Sequence, residues 1–199
     1  MGAETFVRWR HPEHGVVPIQ RRYAEAARSG ALVELASVML PVWAACTGVH
    51  AGLVASFDFS AEQLLDEGFM EAVLRIADRA GRRLAVEIDH DDFRRAAPTD
   101  ATEPVAPPVA DLDTRLAALT ASGFEVWLDD FGQTTMDEAA ARHPAVAVVK
   151  LDRSLLQADP SWLRGLVGRM HDGGKPCSWR ESRPKATVAT PWGPASTAT

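Results

Sequence analysis

Apolar and polar positions follow two rhythms along this chain. Short β-branched or apolar runs at residues 5–9, 53–59, 84–88, 124–128 and 146–151 are bounded by Gly, Asp or Pro, and they predict strands. Between them, "IQRRYAEAARSG", "LVELASVMLPVWAACTG", "FMEAVLRIADRAG", "DLDTRLAALTASG" and "TTMDEAAARHP" predict helices. Several of these end on glycine, which readily takes the left-handed backbone that closes a helix. Strand and helix therefore alternate, and alternation implies a parallel sheet covered by helices, either an open doubly wound sheet or a closed barrel.

The polar residues able to do chemistry fall at the carboxyl ends of these strands: Asp58, Glu87, Asp129 and Lys150. Barrels place their sites there, but open sheets also bind ligands beyond the carboxyl ends of their strands, so position does not choose between the two. Two segments break the alternation. Residues 97–111, "APTDATEPVAPPVAD", hold four prolines and predict an extended surface loop. From Lys175 onward the chain has neither period and is rich in Pro, Ser, Thr and Ala, so residues 175–199 are expected to be a disordered tail after a domain at residues 1–174.

Composition narrows the function classes. With 199 residues, 46% hydrophobic and 24% charged, the chain can bury the core of one globular domain. A net charge of -6 and a pI near 5.5 give no electrostatic footprint for DNA, RNA or an anionic membrane. A phosphate-bearing ligand would need local help from a metal or a placed arginine. Cys46 and Cys177 lie far apart and suggest neither a zinc site nor a disulfide framework, which fits thiols in a reducing cytoplasm. The longest apolar run, from Leu32, is interrupted by Glu34 and Pro41 and predicts no membrane span.

Glu4, Asp58, Glu87, Asp129 and Asp130 are five carboxylates at or near predicted strand ends. In a parallel barrel such ends converge on one mouth, where like charges repel unless a cation neutralises them. Oxygen-only ligands suit Mg²⁺ or Mn²⁺, and two such ions can clamp both oxygens of an in-line phosphoryl displacement. Lys150 could orient a water or stabilise charge on phosphate oxygens. Taken singly, each residue has a plainer reading: a strand-end Asp caps a helix, Lys150 is a solvated rim residue, and Arg8 is a surface ion-pair partner. His11, His14, His90 and His143 show no metal spacing and are expected to be solvated, and the tryptophans are read as scattered core or surface aromatics.

A resemblance adds to this reading. "ETFVRWRHPEHGVVP" resembles the Glu-Ala-Leu-x-Arg-Trp signature that opens EAL-domain cyclic di-GMP phosphodiesterases. "SFDFS", "VEIDH", "DDFGQTTMD" and "VVKLDRSLL" are similar, in the family's order, to its Ser-Val-Asn-Leu-Ser, Glu-Leu-Thr-Glu, Asp-Asp-Phe-Gly-Thr-Gly-Tyr-Ser-Ser and Leu-Lys-Ile-Asp-Arg-Ser-Phe blocks. The resemblance implies a TIM-like barrel that linearises cyclic di-GMP with two Mg²⁺ or Mn²⁺ ions. It assigns Glu4, Glu87, Asp129 and Asp130 as metal ligands, with Asp58 where the family has a ligating Asn. Lys150 matches the active-site lysine, Glu4 and Lys150 are the catalytic candidates, and Arg8 matches an arginine that contacts a substrate phosphate.

The chain also departs from the pattern. His90 replaces the second Glu of Glu-Leu-Thr-Glu, and "GQTTMD" lacks the second glycine of the family loop, which restricts its backbone. A strand before the Glu-Ala-Leu motif and an Ala-Glu-Gly-Val-Glu block after the lysine strand are missing from the sequence, so an incomplete TIM-type α/β barrel is expected, with edges covered by the tail, a homodimer or a partner protein. A one-nucleotide shift across "PCSWRESRPK" can encode a segment resembling the missing block, which makes a frameshifted tail one expectation. Three readings stand at this point: a cyclic di-GMP phosphodiesterase impaired by truncation, a cyclic di-GMP-binding or protein-interaction module without turnover, and a fragment that does not fold stably.

Overall fold

The computed structural model of the chain describes residues 2–4, 8–11, 13–18, 25, 28–46, 54–80, 84–91, 93, 109–132 and 138–179. Six strands form one sheet: β1 (Gly2–Glu4), β4 (Val54–Asp58), β5 (Leu84–Asp89), β6 (Phe124–Phe131), β7 (Val146–Leu151) and β8 (Cys177–Trp179). Each is hydrogen-bonded to the next in that order, and every pairing is parallel. The expected α/β fold with a parallel, TIM-type sheet is thus present. β1 and β8 are its outer strands among the described residues.

Helices cover one face. α1 (Leu32–Cys46), α2 (Ala61–Leu65), α3 (Glu67–Ala80), α4 (Val109–Ala121), α5 (Glu138–Ala141) and α6 (Pro160–Asp172) follow in chain order, with a 3₁₀ turn at Arg153–Gln157. Their apolar stripes bring Leu112, Leu116 and Leu119 of α4 and Leu166 and Met170 of α6 into the core, the three-and-four spacing of an amphipathic helix. α2 begins in a capping box: Gln63 N donates to Ser60 Oγ at 3.2 Å, and Ser60 N donates to Gln63 Oε1 at 2.8 Å. α1 and α3 approach closely at Gly68, where a Cβ would lie 2.8 Å from Val33 Cγ2.

Three expectations need correction. The first sheet strand is Gly2–Glu4 rather than residues 5–9; residues 5–7 lie outside those described, and Arg8–His11 (β2) instead pairs antiparallel with Gly15–Pro18 (β3) as a separate hairpin. Lys175 onward is not wholly without structure, because Cys177–Trp179 pairs with β7; residues 180–199 lie outside the described ones. Lys175 helps this approach by donating from Nζ to His143 O at 2.9 Å and Val146 O at 2.6 Å, and burial lowers its pKa. α6 is a helix that the strand-and-helix rhythm did not predict, although Asp159 accepts from Ser161 N and Trp162 N and Pro160 follows it, both ordinary helix-start signals. The predicted loop at residues 97–111 falls outside the described residues as far as residue 108, and its last three residues belong to α4.

Beyond β7, buried Asp152 caps the 3₁₀ turn by accepting from Ser154 N at 2.7 Å. The hydrogen bond from the Ser154 side chain, opposed by desolvation, holds its carboxyl below the ordinary 3.8. A depressed carboxylate pKa contributes stability above the ordinary value and loses it as pH falls through the folded one. Asp152→Asn should therefore lower unfolding free energy near neutrality, and the gap from wild type should close as denaturant melts are repeated below pH 3.8. A gap that stays constant with pH would contradict this assignment.

Candidate functional site

Side chains alternate across a strand, so β4, β5, β6 and β7 each serve two clusters. Phe57, Val86, Ile88, Val126, Leu128, Val149 and Leu151 join the helix-side core. On the other face, Val54, Ala85 and Trp127 form a smaller apolar cluster with Ala147 and Val148 packed against it. Two residues further along this face come Glu87 after Ala85, Asp129 after Trp127 and Lys150 after Val148; Asp58 lies four beyond Val54 and in register with Glu87. The face thus has an apolar floor and a charged rim at the carboxyl ends.

The rim groups meet. Lys150 Nζ donates to Glu87 Oε2 at 2.6 Å and lies 3.3 Å from Asp129 Oδ2. The side chains of Lys150, Glu87 and Asp129 retain only 7%, 0% and 7% of their exposure. Asp58, half-buried, completes a group in which one oxygen from each of Asp58, Glu87 and Asp129 lies within 4.8 Å of the others. Lys150 pairs with two of these three carboxylates, and carboxylates crowded in this way favour a divalent cation among their oxygens. Glu87 Oε1 is buried and accepts no hydrogen bond among the described residues. An unsatisfied buried oxygen beside two further carboxylates fits a hard divalent ion such as Mg²⁺ or Mn²⁺.

A paired irregularity carries the two consecutive aspartates. Val126 and Trp127 oppose Val146 and Val148, so Ala147 is extra on β7; Leu128 and Phe131 oppose Val149 and Leu151, so β6 has the extra residue at Asp129–Asp130. Regular alternation would send Asp130 into the helix-side core. The bulge instead gives that position to Phe131, which is fully buried, and leaves Asp130 partly exposed with φ 52°. A left-handed backbone costs a non-glycine residue about 1 kcal/mol or more, and such strain concentrates at functional sites.

The remaining candidates are placed less fully. Asp130 is not part of the carboxylate group formed by Asp58, Glu87 and Asp129. Glu4 lies on β1 in register with Ser56, two residues before Asp58 on β4, and Arg8 begins β2 opposite Pro18. His90 corrects the expectation of a solvated histidine: it is 1% exposed and meets the Phe131 ring edge-on at 5.2 Å. Trp127, taken from sequence as one of several scattered aromatics, floors the site, and its Nε1 donates to Glu125 Oε2 at 2.9 Å. The two-residue step from Trp127 to Asp129 was the available signal. Ser178 of β8 lies in register with Lys150, so the strand beside the lysine brings no carboxylate.

The sequence profile of the EAL domain matches residues 1–177. The chain belongs to the EAL domain family. Solved EAL structures share its fold. The PaMucR phosphodiesterase in its c-di-GMP complex is 21% identical with a TM-score of 0.67, over 89% of this chain and 73% of that one. The FimX EAL domain from Pseudomonas aeruginosa bound to c-di-GMP is 18% identical with a TM-score of 0.65, over 90% and 73%. An EAL domain protein from Listeria monocytogenes EGD-e is 18% identical with a TM-score of 0.60, over 90% and 70%. Identities this low speak for the EAL fold alone. Among curated proteins none matches the sequence. Among the described residues, no helix is long and apolar enough to cross a membrane.

Proposed function

We propose that this EAL-family chain binds cyclic di-GMP at the charged rim and hydrolyses it to the linear dinucleotide with the help of a divalent cation. The observation that carries the reading is the convergence of Asp58, Glu87 and Asp129 around Lys150 at the carboxyl ends of adjacent parallel strands. Asp58, Glu87 and Asp129 would hold the cation, with Glu4 and Asp130 as further ligands. When bound, a divalent ion polarises a phosphoryl oxygen and supplies a nucleophilic water near neutral pH.

The chain's own groups have separate tasks. Glu87, fixed through Oε2 by Lys150, keeps Oε1 for the cation. Lys150 places a positive charge beside the reacting phosphate, where negative charge grows as the P–O bond breaks. Arg8 would hold a non-reacting phosphate oxygen, the local cation that a chain of net charge -6 must provide for an anionic ligand. The apolar floor at Val54, Ala85 and Trp127 excludes water from below.

One observation favours recognition without turnover. Ser178 occupies the β8 position beside Lys150, and it cannot activate water as a carboxylate would. Incubating the full chain with cyclic di-GMP and Mn²⁺, then separating products by reversed-phase chromatography, distinguishes the readings. Linear dinucleotide that disappears with EDTA or with Asp129→Asn establishes hydrolysis. Saturable nucleotide binding with no product establishes the second reading, and absence of both sinks the two together.

A further inference from the structure

Lys150 is more than a group waiting for substrate, because it already neutralises part of the acidic rim. Its Nζ lies 2.6 Å from Glu87 and 3.3 Å from Asp129, and all three side chains are almost wholly withdrawn from water. Without that ammonium, Glu87 and Asp129 would lose a cation that each contacts, and the mutual repulsion of three carboxylates with oxygens within 4.8 Å of one another would be less compensated.

We propose that Lys150 is a resident counter-cation of the acidic rim and thereby raises the threshold at which the rim takes up a divalent cation. The physical reason has two parts with the same sign. The ammonium stabilises the metal-free arrangement, which lowers the gain on binding; it also repels an incoming cation at close range. Both weaken divalent binding. Lys150 acts here through Glu87 and Asp129 as a positioning residue, and the inference rests on the reading of Asp58, Glu87 and Asp129 as a cation site.

The test needs no nucleotide. Mn²⁺ titration calorimetry and thermal melts with and without Mn²⁺ are made on the full wild-type chain, Lys150→Met and Lys150→Arg. Lys150→Met should bind Mn²⁺ at least tenfold more tightly than wild type. Its metal-free melt should fall and its Mn²⁺-induced rise should be the larger, because a ligand that binds only the folded state stabilises in proportion to its affinity. Lys150→Arg keeps the charge and should stay within threefold of wild-type affinity, which a purely steric role for the side chain does not require. If Lys150→Met does not fold, Lys150→Gln keeps an N–H donor for Glu87 without the charge and carries the same tenfold expectation. Equal or weaker Mn²⁺ binding by the neutral variants overturns the inference while leaving the cation site standing. No Mn²⁺ binding by any of the proteins instead overturns the site itself.

Discussion

Glu87→Ala is expected to lower Mn²⁺ affinity by about 100-fold or more, a loss at least as large as removal of outer-sphere support gives in metal sites. Glu87 is the most deeply placed of the three carboxylates, its side chain wholly buried and its Oε1 without a hydrogen bond among the described residues. The folded state should suffer much less than the binding. Lys150 loses its 2.6 Å partner but keeps Asp129 at 3.3 Å, and the rim sheds one mutually repelling charge. Calorimetry read beside melts in EDTA separates these effects: the isotherm should flatten, and the melting-point rise that Mn²⁺ gives wild type should vanish. A variant with the wild-type isotherm would mean that the cation does not sit among these oxygens.

Gly132→Ala should destabilise the chain by about 3 kcal/mol through two separate costs. Gly132 has φ +91°, where a Cβ strains the backbone by about 1–2 kcal/mol. The added methyl would also lie 2.7, 2.9 and 3.0 Å from Leu155 Cδ1, Cδ2 and Cγ, an overpacking that typically costs about 1–3 kcal/mol. Leu155 is buried in the core on the 3₁₀ turn, so it has little room to retreat. For a chain of this size the melting temperature should drop by about 6–12 °C. A double-mutant cycle with Leu155→Ala apportions the result: the steric share couples to Leu155 and the backbone share does not. A fall of less than about 0.5 kcal/mol, the range of an inconsequential surface change, would contradict the close approach.

Much of the sheet could be read from the chain because its strands are short and bounded by turn residues. Four of the predicted strands, those now labelled β4 to β7, lie where the alternation put them, and Asp58, Glu87, Asp129 and Lys150 reach the same end of the sheet. The failures have physical causes. Residues 5–9 carry the β-branched residues that attracted the strand prediction, whereas small Gly2 and Ala3 give no such signal yet pair with β4. β8 is three residues long, too short for a period to register, and takes its place through pairing with β7. α6 was obscured by Gly165 and Gly168, which weaken a helical pattern, although its cap was legible. The 63-residue separation between Glu87 and Lys150 hides their bond from any local reading. The bulge that turns Phe131 inward past Asp130 was equally hidden, because it depends on the register with β7.

The order of strands has a kinetic consequence. Asp58, Glu87, Asp129 and Lys150 all stand on strands with a neighbour on each side, whereas Glu4 stands on β1, an outer strand of the sheet among the described residues. Amide protons on doubly flanked strands exchange only in large openings, while a peripheral strand of three residues frays on its own. Peeling β1 away would take Glu4 with it and leave the lysine-bound carboxylates assembled, so the rim comes apart in two stages rather than one.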